Sequence, residues 1–145
     1  MSSTVLVVFF ALAAGLAVQV QSPLASMLGQ RLGPMSSVFI THFGGALVAL
    51  LLLLVLGGEQ IREWRTLPWY ALAAGALGVV AIGGITYTVP RIGTAATTSL
   101  MVLAQLSFSA VVDHFGLLGT SVRPLEPVRA LGLVVLLLGV WLVTR

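Results

Sequence analysis

The chain has 145 residues, of which 59% are hydrophobic and only 8% are charged, with seven arginines, no lysine and four acidic residues. Soluble domains carry about 25% charged residues, so this composition excludes a water-soluble fold and indicates an integral membrane protein. The chain has no cysteine, which excludes disulfides and thiolate metal sites, and its arginines are too dispersed for nucleic-acid binding.

Five apolar segments follow one another, each near the length of about 20 residues that a helix needs to cross the hydrocarbon of a bilayer. The first has no positive charge ahead of it until Arg31, so it reads as a retained helix rather than a cleaved signal peptide. The sequence therefore predicts an all-α integral membrane protein, with residues 1–145 as a single membrane domain. Its transmembrane helices are expected at about residues 4–28, 35–56, 68–89, 94–115 and 127–143.

The arginines give little preference for one orientation in the membrane. With five crossings, four of them fall on one side and three on the other: Arg62, Arg65, Arg123 and Arg129 against Arg31, Arg91 and Arg145. Arginine-rich loops normally stay in the cytoplasm, so a near-equal split lets the chain insert both ways. We therefore expect an antiparallel (dual-topology) homodimer, which is a 5+5 inverted repeat supplied by two copies.

A polar stripe runs along the fourth segment, which is otherwise apolar. At 100° per residue its members share one face, and they are Thr94, Thr98, Met101, Gln105 and Ser109. The only aspartate in the chain, Asp113, lies at the edge of this stripe and is followed by His114. Such a stripe predicts a crevice or a helix partner, although hydroxyl and amide groups also simply join helices in lipid.

Two further groups are candidates for function in the first two segments. His42 lies within the second segment, where an ionisable side chain is a functional candidate, although it could equally be a neutral imidazole bonded to a neighbouring group. Pro23 lacks the N–H that would bond back one turn, and a released carbonyl at membrane depth is tolerated where it lines a cavity. A plain packing kink at Pro23 is the alternative.

We predict a substrate-binding crevice lined by Gln21, His42, Gln105 and Ser109, and structural or gating roles for Pro23, Arg91, Asp113 and His114. No predicted linker exceeds about a dozen residues, and no nucleophile–base–acid set, metal-ligand cluster or phosphate-binding glycine loop is present in the sequence. The sequence therefore predicts neither an enzyme, nor a metal site, nor a cofactor.

Several motifs resemble one known family. The run VPRIGTAATTSL, then Gln105, DHFGLLG, RPL and a last helix with Gly132 and Gly139 are similar to the YdcZ-type small branch of the drug/metabolite transporter superfamily. Upstream, Gln21 with LGQRLG and the run PWY resemble the first and third helices of that branch. The resemblance implies a five-helix unit like half of an EamA-type transporter, a small-molecule substrate and a multi-pass place in the bacterial inner membrane. Members of that family often carry Asn where this chain has Ala25. If that Asn contacts the substrate, this chain has lost the contact or moved it.

We therefore predict a membrane transporter that moves a small solute by alternating access. Two other functions fit the same sequence: a small dual-topology ion channel or pore, or a membrane partner that assembles with a homologous subunit. We also expect Arg91 and Asp113 to pair between protomers, since they lie at opposite ends of the fourth segment and an antiparallel dimer brings them to one depth. Alternatively, Arg91 reaches lipid phosphate, and Asp113 pairs with His114 or Arg123 within its own linker.

Overall fold

The computed structural model describes residues 3–57 and 61–145, and every regular element in them is helical. The α-helices are α1 (Ser3–Leu32), α2 (Pro34–Leu56), α3 (Trp69–Leu72), α4 (Ala74–Phe115) and α5 (Pro127–Thr144), with 3-10 helices at Ile61–Thr66 and Leu117–Gly119. Within the described residues four stretches are long and apolar enough to cross a membrane: Thr4–Leu32, Pro34–Leu56, Trp69–Phe115 and Pro127–Thr144. These helices confirm the all-helical membrane class.

The first two helices pack against each other as a hairpin whose turn is very short. Only Gly33, with φ 90°, separates α1 from α2, and the ring of Pro34 suits the first position of a helix. The buried Ser37 hydroxyl donates a hydrogen bond to the carbonyl of Ala25 across the two helices, with an oxygen-to-oxygen distance of 2.7 Å. This bond lets a polar group lie in the packed face without an unsatisfied donor.

The predicted third and fourth helices differ from expectation, because the break between them is a kink and not a linker. Residues 74–115 are assigned to one helix of 42 residues, α4, which contains Pro90 and an interruption at Gly93. The backbone of Gly93 has φ 81° and ψ 164°, a conformation that essentially only glycine adopts. The break predicted around residues 90–93 is therefore real in the backbone, although helical residues continue on both sides of it.

The chain divides into two compact units, Met1–Arg91 and Ile92–Arg145, and each is described by itself. The first contains α1, α2, α3 and the beginning of α4. The second contains the remainder of α4, the linker and α5. The expectation of one membrane domain over residues 1–145 stays a prediction.

Most large apolar side chains lie on the outside of the helices. At the end of α2, for example, Leu54, Val55 and Leu56 are each more than 70% exposed. The buried side chains are mostly small, including Ala25, Ser26 and Thr97. Helices with small buried contacts and apolar outer faces are typical of proteins whose solvent is lipid.

Candidate functional site

His42 lies where α2 meets α4 in the first unit. Its Nδ1 lies 2.8 Å from the carbonyl oxygen of Val38, one turn earlier in α2. A carbonyl can only accept, so Nδ1 carries the proton and Nε2 of the neutral ring has a free lone pair. The half-buried ring lies against α4, because a Cβ placed on Gly78 would be 2.5 Å from Nε2. The ring of His42 thus lies against α4 at Gly78, where the absence of a side chain leaves room for it.

The predicted residues of the first helix, Gln21 and Pro23, are both exposed. Gln21 is exposed, whereas its neighbour Ser22 is buried. Pro23 lies inside α1, which continues as a helix to Leu32. Ala25, at the position where the related family often has Asn, is only 1% exposed, and its carbonyl receives the bond from α2. In this chain that position serves helix packing, so an Asn contact with a substrate is not available there.

The second unit contains a groove between the end of α4 and the start of α5. Its volume is 470 Å³, within the range of about 300–1,000 Å³ that small-molecule sites occupy. On α4 the lining residues recur at three- and four-residue spacing, as they must to share a helix face. The lining consists of Leu106, Ser109, Ala110 and Asp113 from α4, Leu125 from the linker, and Arg129, Gly132, Leu133 and Leu136 from α5.

One end of this groove is charged and the remainder is apolar apart from Ser109. A guanidinium nitrogen of Arg129 lies 3.9 Å from a carboxylate oxygen of Asp113, and both side chains remain partly exposed. That separation makes an ion pair without a hydrogen bond, whose usual length is about 2.7–3.2 Å. The groove can therefore accommodate an amphiphilic ligand, with charge at one end and an apolar body.

The linker after α4 is held back against the helix end by His114 and by the main chain of Asp113. The amide of Leu125 donates to Nδ1 of His114 at 3.0 Å, and the amide of Arg123 donates to the Asp113 carbonyl at 2.8 Å. Because Nδ1 accepts, the proton of the neutral imidazole is on Nε2. This contact of His114 holds the linker just before α5, and the structural or gating role predicted for His114 stays a prediction.

Two other predicted residues lie outside these clusters. Gln105 is exposed on α4, one turn before Ser109, and does not line the groove. Arg91 has its guanidinium 3.6 Å from the ring centre of Tyr87 and donates to the Tyr87 carbonyl. Arg91 and Asp113 thus each have a contact within the chain, and their pairing between protomers stays a prediction.

The structure places Ser109 and Asp113 together and places His42 and Gln21 in the other unit. Sequence reasoning missed Arg129 as the partner of Asp113. The positions of the two residues could have indicated this pair, because Asp113 is the third residue from the end of α4 and Arg129 is the third residue of α5. The linker of residues 116–126 bonds back to the end of α4, which brings these two residues to the same level.

Comparison with known families identifies the chain. The profile of the family described as "Putative inner membrane exporter, YdcZ", within the drug/metabolite transporter group, matches residues 6–142. The chain therefore belongs to the YdcZ family, as its motifs indicated. No curated protein and no solved structure matches the chain.

Proposed function

We propose that this member of the YdcZ family moves a small solute across the membrane by alternating access, as an antiparallel homodimer of five-crossing chains. The family description supports a membrane exporter. The observation that carries the five-crossing arrangement is the length of α4. Its 42 residues correspond to about 63 Å at 1.5 Å per residue, twice the roughly 30 Å of hydrocarbon.

The kink in α4 supports a reversal of direction between two crossings. Pro90 removes a main-chain donor and Gly93 adopts a non-helical conformation, so the helical hydrogen bonding is weakest there. The guanidinium of Arg91 lies at the same place, and a charge is favoured at the membrane surface over the bilayer centre. In this arrangement residues 74–89 belong to the third crossing and residues 94–115 to the fourth.

The near-equal distribution of arginines supports insertion in both orientations, and the dimer follows from it. We propose a substrate crevice with contributions from Gln21, His42, Gln105 and Ser109. The contact of Nδ1 with the Val38 carbonyl supports the part of His42, because it leaves Nε2 able to accept a hydrogen bond from a solute. Two copies in opposite orientation would present this crevice alternately to the two sides.

The orientation of the chain provides the first test. Changing the exposed Ile61 and Leu67 to lysine adds positive charge to one side, and changing the exposed Leu32 and Ile92 to lysine adds it to the other. Reporter fusions at the C-terminus should show opposite single orientations for the two variants and mixed orientation for the parent chain. Carrying different affinity tags, the two variants should co-purify as a dimer when expressed together, and each should be monomeric alone. Stable dimers of either variant alone would refute the antiparallel arrangement.

Transport itself needs a separate test, because dimerisation does not prove it. A thermal-shift screen of the purified protein against metabolites and organic cations identifies a ligand by the rise in Tm that binding to the native state causes. Proteoliposomes loaded with that ligand should then show saturable uptake and counterflow of the labelled compound. Uptake that rises linearly with concentration and shows no counterflow would identify a pore and contradict alternating access.

A further inference from the structure

We propose that the groove between α4 and α5 binds a phospholipid of the surrounding bilayer whose headgroup carries both a primary ammonium and a phosphate, as phosphatidylethanolamine does. The headgroup would lie on Asp113 and Arg129, and an acyl chain would lie along the apolar wall. This site is separate from the solute crevice proposed above, except that Ser109 borders both.

The charges at the end of the groove are complementary to such a headgroup. Asp113 and Arg129 are 3.9 Å apart, so neither uses its hydrogen-bonding capacity on the other. A carboxylate offers about four acceptor positions and a guanidinium five donors, which leaves both able to bind a further partner. A lipid ammonium can donate to Asp113 while its phosphate accepts from Arg129, and the ion pair need not be broken. In phosphoethanolamine a bridge of two carbons joins the ammonium to the phosphate, so the two charges of the headgroup are also close together.

The position of the charged end along the helices matches the headgroup level of a bilayer. Asp113 is near the last residue of α4 and Arg129 is near the first residue of α5, with the linker beyond them. The groove extends from this end to Leu106 and Leu136, each seven residues away along its helix. Seven residues correspond to about 10 Å, so the apolar wall extends from the headgroup level into the hydrocarbon.

The same features discriminate among possible occupants. Phosphatidylcholine has a quaternary ammonium that cannot donate a hydrogen bond to Asp113. Phosphatidylglycerol can place its phosphate on Arg129 but has no cation that would bind Asp113. A free zwitterionic solute could satisfy both charges, but it would leave the apolar wall from Leu106 to Leu136 uncovered, which loses the hydrophobic contribution to binding.

The test uses the full-length purified protein, stripped of lipid in detergent, and native mass spectrometry with lipids of identical acyl chains. We expect phosphatidylethanolamine to bind at least about tenfold more tightly than phosphatidylcholine, a difference of about 1.4 kcal/mol. Asp113→Asn should abolish this preference, while Glu63→Gln, which removes the same charge elsewhere, should retain it. Arg129→Gln should weaken the binding of phosphatidylethanolamine and of phosphatidylglycerol, and Arg145→Gln should leave both unchanged.

A second variant tests the apolar wall without touching the charges. Gly132 lines the groove and a Cβ there meets nothing within 4 Å, so Gly132→Leu should fill the groove without straining the helix. It should weaken lipid binding about tenfold. Gly139→Leu, one heptad further along α5 and equally free of neighbours, should not. Because leucine favours a helix over glycine, both variants should fold at least as well as the parent chain.

Any one of these results would overturn the proposal: equal affinity for phosphatidylethanolamine and phosphatidylcholine, an unchanged lipid preference in Asp113→Asn, or unchanged binding in Gly132→Leu. Soluble phosphoethanolamine that displaces the lipid at equal concentration would instead assign the groove to a solute and would also overturn it. None of these measurements depends on transport, so they remain decisive whether or not the proposed function holds.

Discussion

The close approach of α1 to α4 within the first unit depends on Gly29. A Cβ at this position would overlap Cγ2 of Thr86 and lie 3.2 Å from its Cβ. Thr86 is buried, and its hydroxyl donates to the Ile82 carbonyl at 2.7 Å, so rotating the side chain away would sacrifice that bond. Gly29→Ala must therefore displace a helix or strain the threonine.

The expected magnitude follows from two opposing terms. Overpacking of a filled contact costs about 1–3 kcal/mol, whereas replacing glycine by alanine in a helix contributes about 0.5–1 kcal/mol. Gly29→Ala should therefore lower the free energy of unfolding by about 1–2 kcal/mol. Gly15→Ala, in the same helix but with nothing within 4 Å of its Cβ, should raise it by about 0.5–1 kcal/mol. The difference between these variants measures the overpacking alone.

The assay is equilibrium unfolding in mixed micelles, monitored by circular dichroism, together with a double-mutant cycle. Thr86→Ser removes the Cγ2 that an alanine at position 29 would strike and keeps the hydroxyl bonded to Ile82. The double variant Gly29→Ala/Thr86→Ser should therefore recover most of the loss, with a coupling of about 1–3 kcal/mol. If Gly29→Ala is as stable as Gly15→Ala, or if Thr86→Ser restores nothing, the helices do not approach each other at this point.

Three other substitutions test separate features of the chain. Gly93→Ala should lower the free energy of unfolding by roughly 1–3 kcal/mol because alanine cannot adopt φ 81° and ψ 164° without strain. The control Gly75→Ala, where α4 is regular, should not lower it. Equal thermal stability of the two variants would refute the kink. His114→Ala removes the acceptor for the Leu125 amide and should speed hydrogen exchange of that amide several-fold, measured by NMR with the parent chain as reference. Gln105→Leu should weaken binding of any solute found by thermal shift while leaving Tm nearly unchanged; a large fall in Tm with unaltered affinity would assign Gln105 to helix packing instead.

The helix boundaries were predictable where the chain uses glycine and proline to end a helix. The second predicted helix, 35–56, agrees with Pro34–Leu56, and the fifth, 127–143, with Pro127–Thr144. The break predicted between the third and fourth segments is present as a distortion at Gly93. Periodicity could not show whether it is a linker or a kink, because both begin with the same loss of a donor at proline.

The candidate site was predicted less completely, since a polar stripe identifies a face but not what lies opposite. The stripe contained Ser109 and had Asp113 at its edge, and both line the groove. Arg129 comes from another helix, and its register against Asp113 depends on the folded linker. The sequence also could not predict which ring nitrogen of His42 makes a hydrogen bond. In the fold it is Nδ1, which contacts the main-chain carbonyl of Val38.

The unequal lengths of the helices have a consequence for the membrane itself. The 30 residues of α1 correspond to about 45 Å, whereas the 18 residues of α5 correspond to about 27 Å. Against hydrocarbon about 30 Å thick, α1 is too long and α5 slightly too short, so the two ends of the sequence impose hydrophobic mismatch of opposite sign. Such mismatch would compress the lipids beside α5 and would tilt α1 or extend it into the headgroups. A thicker membrane reduces the hydrophobic mismatch of α1 and increases that of α5. Bilayer thickness alone therefore changes the relative stability of the two parts of the chain.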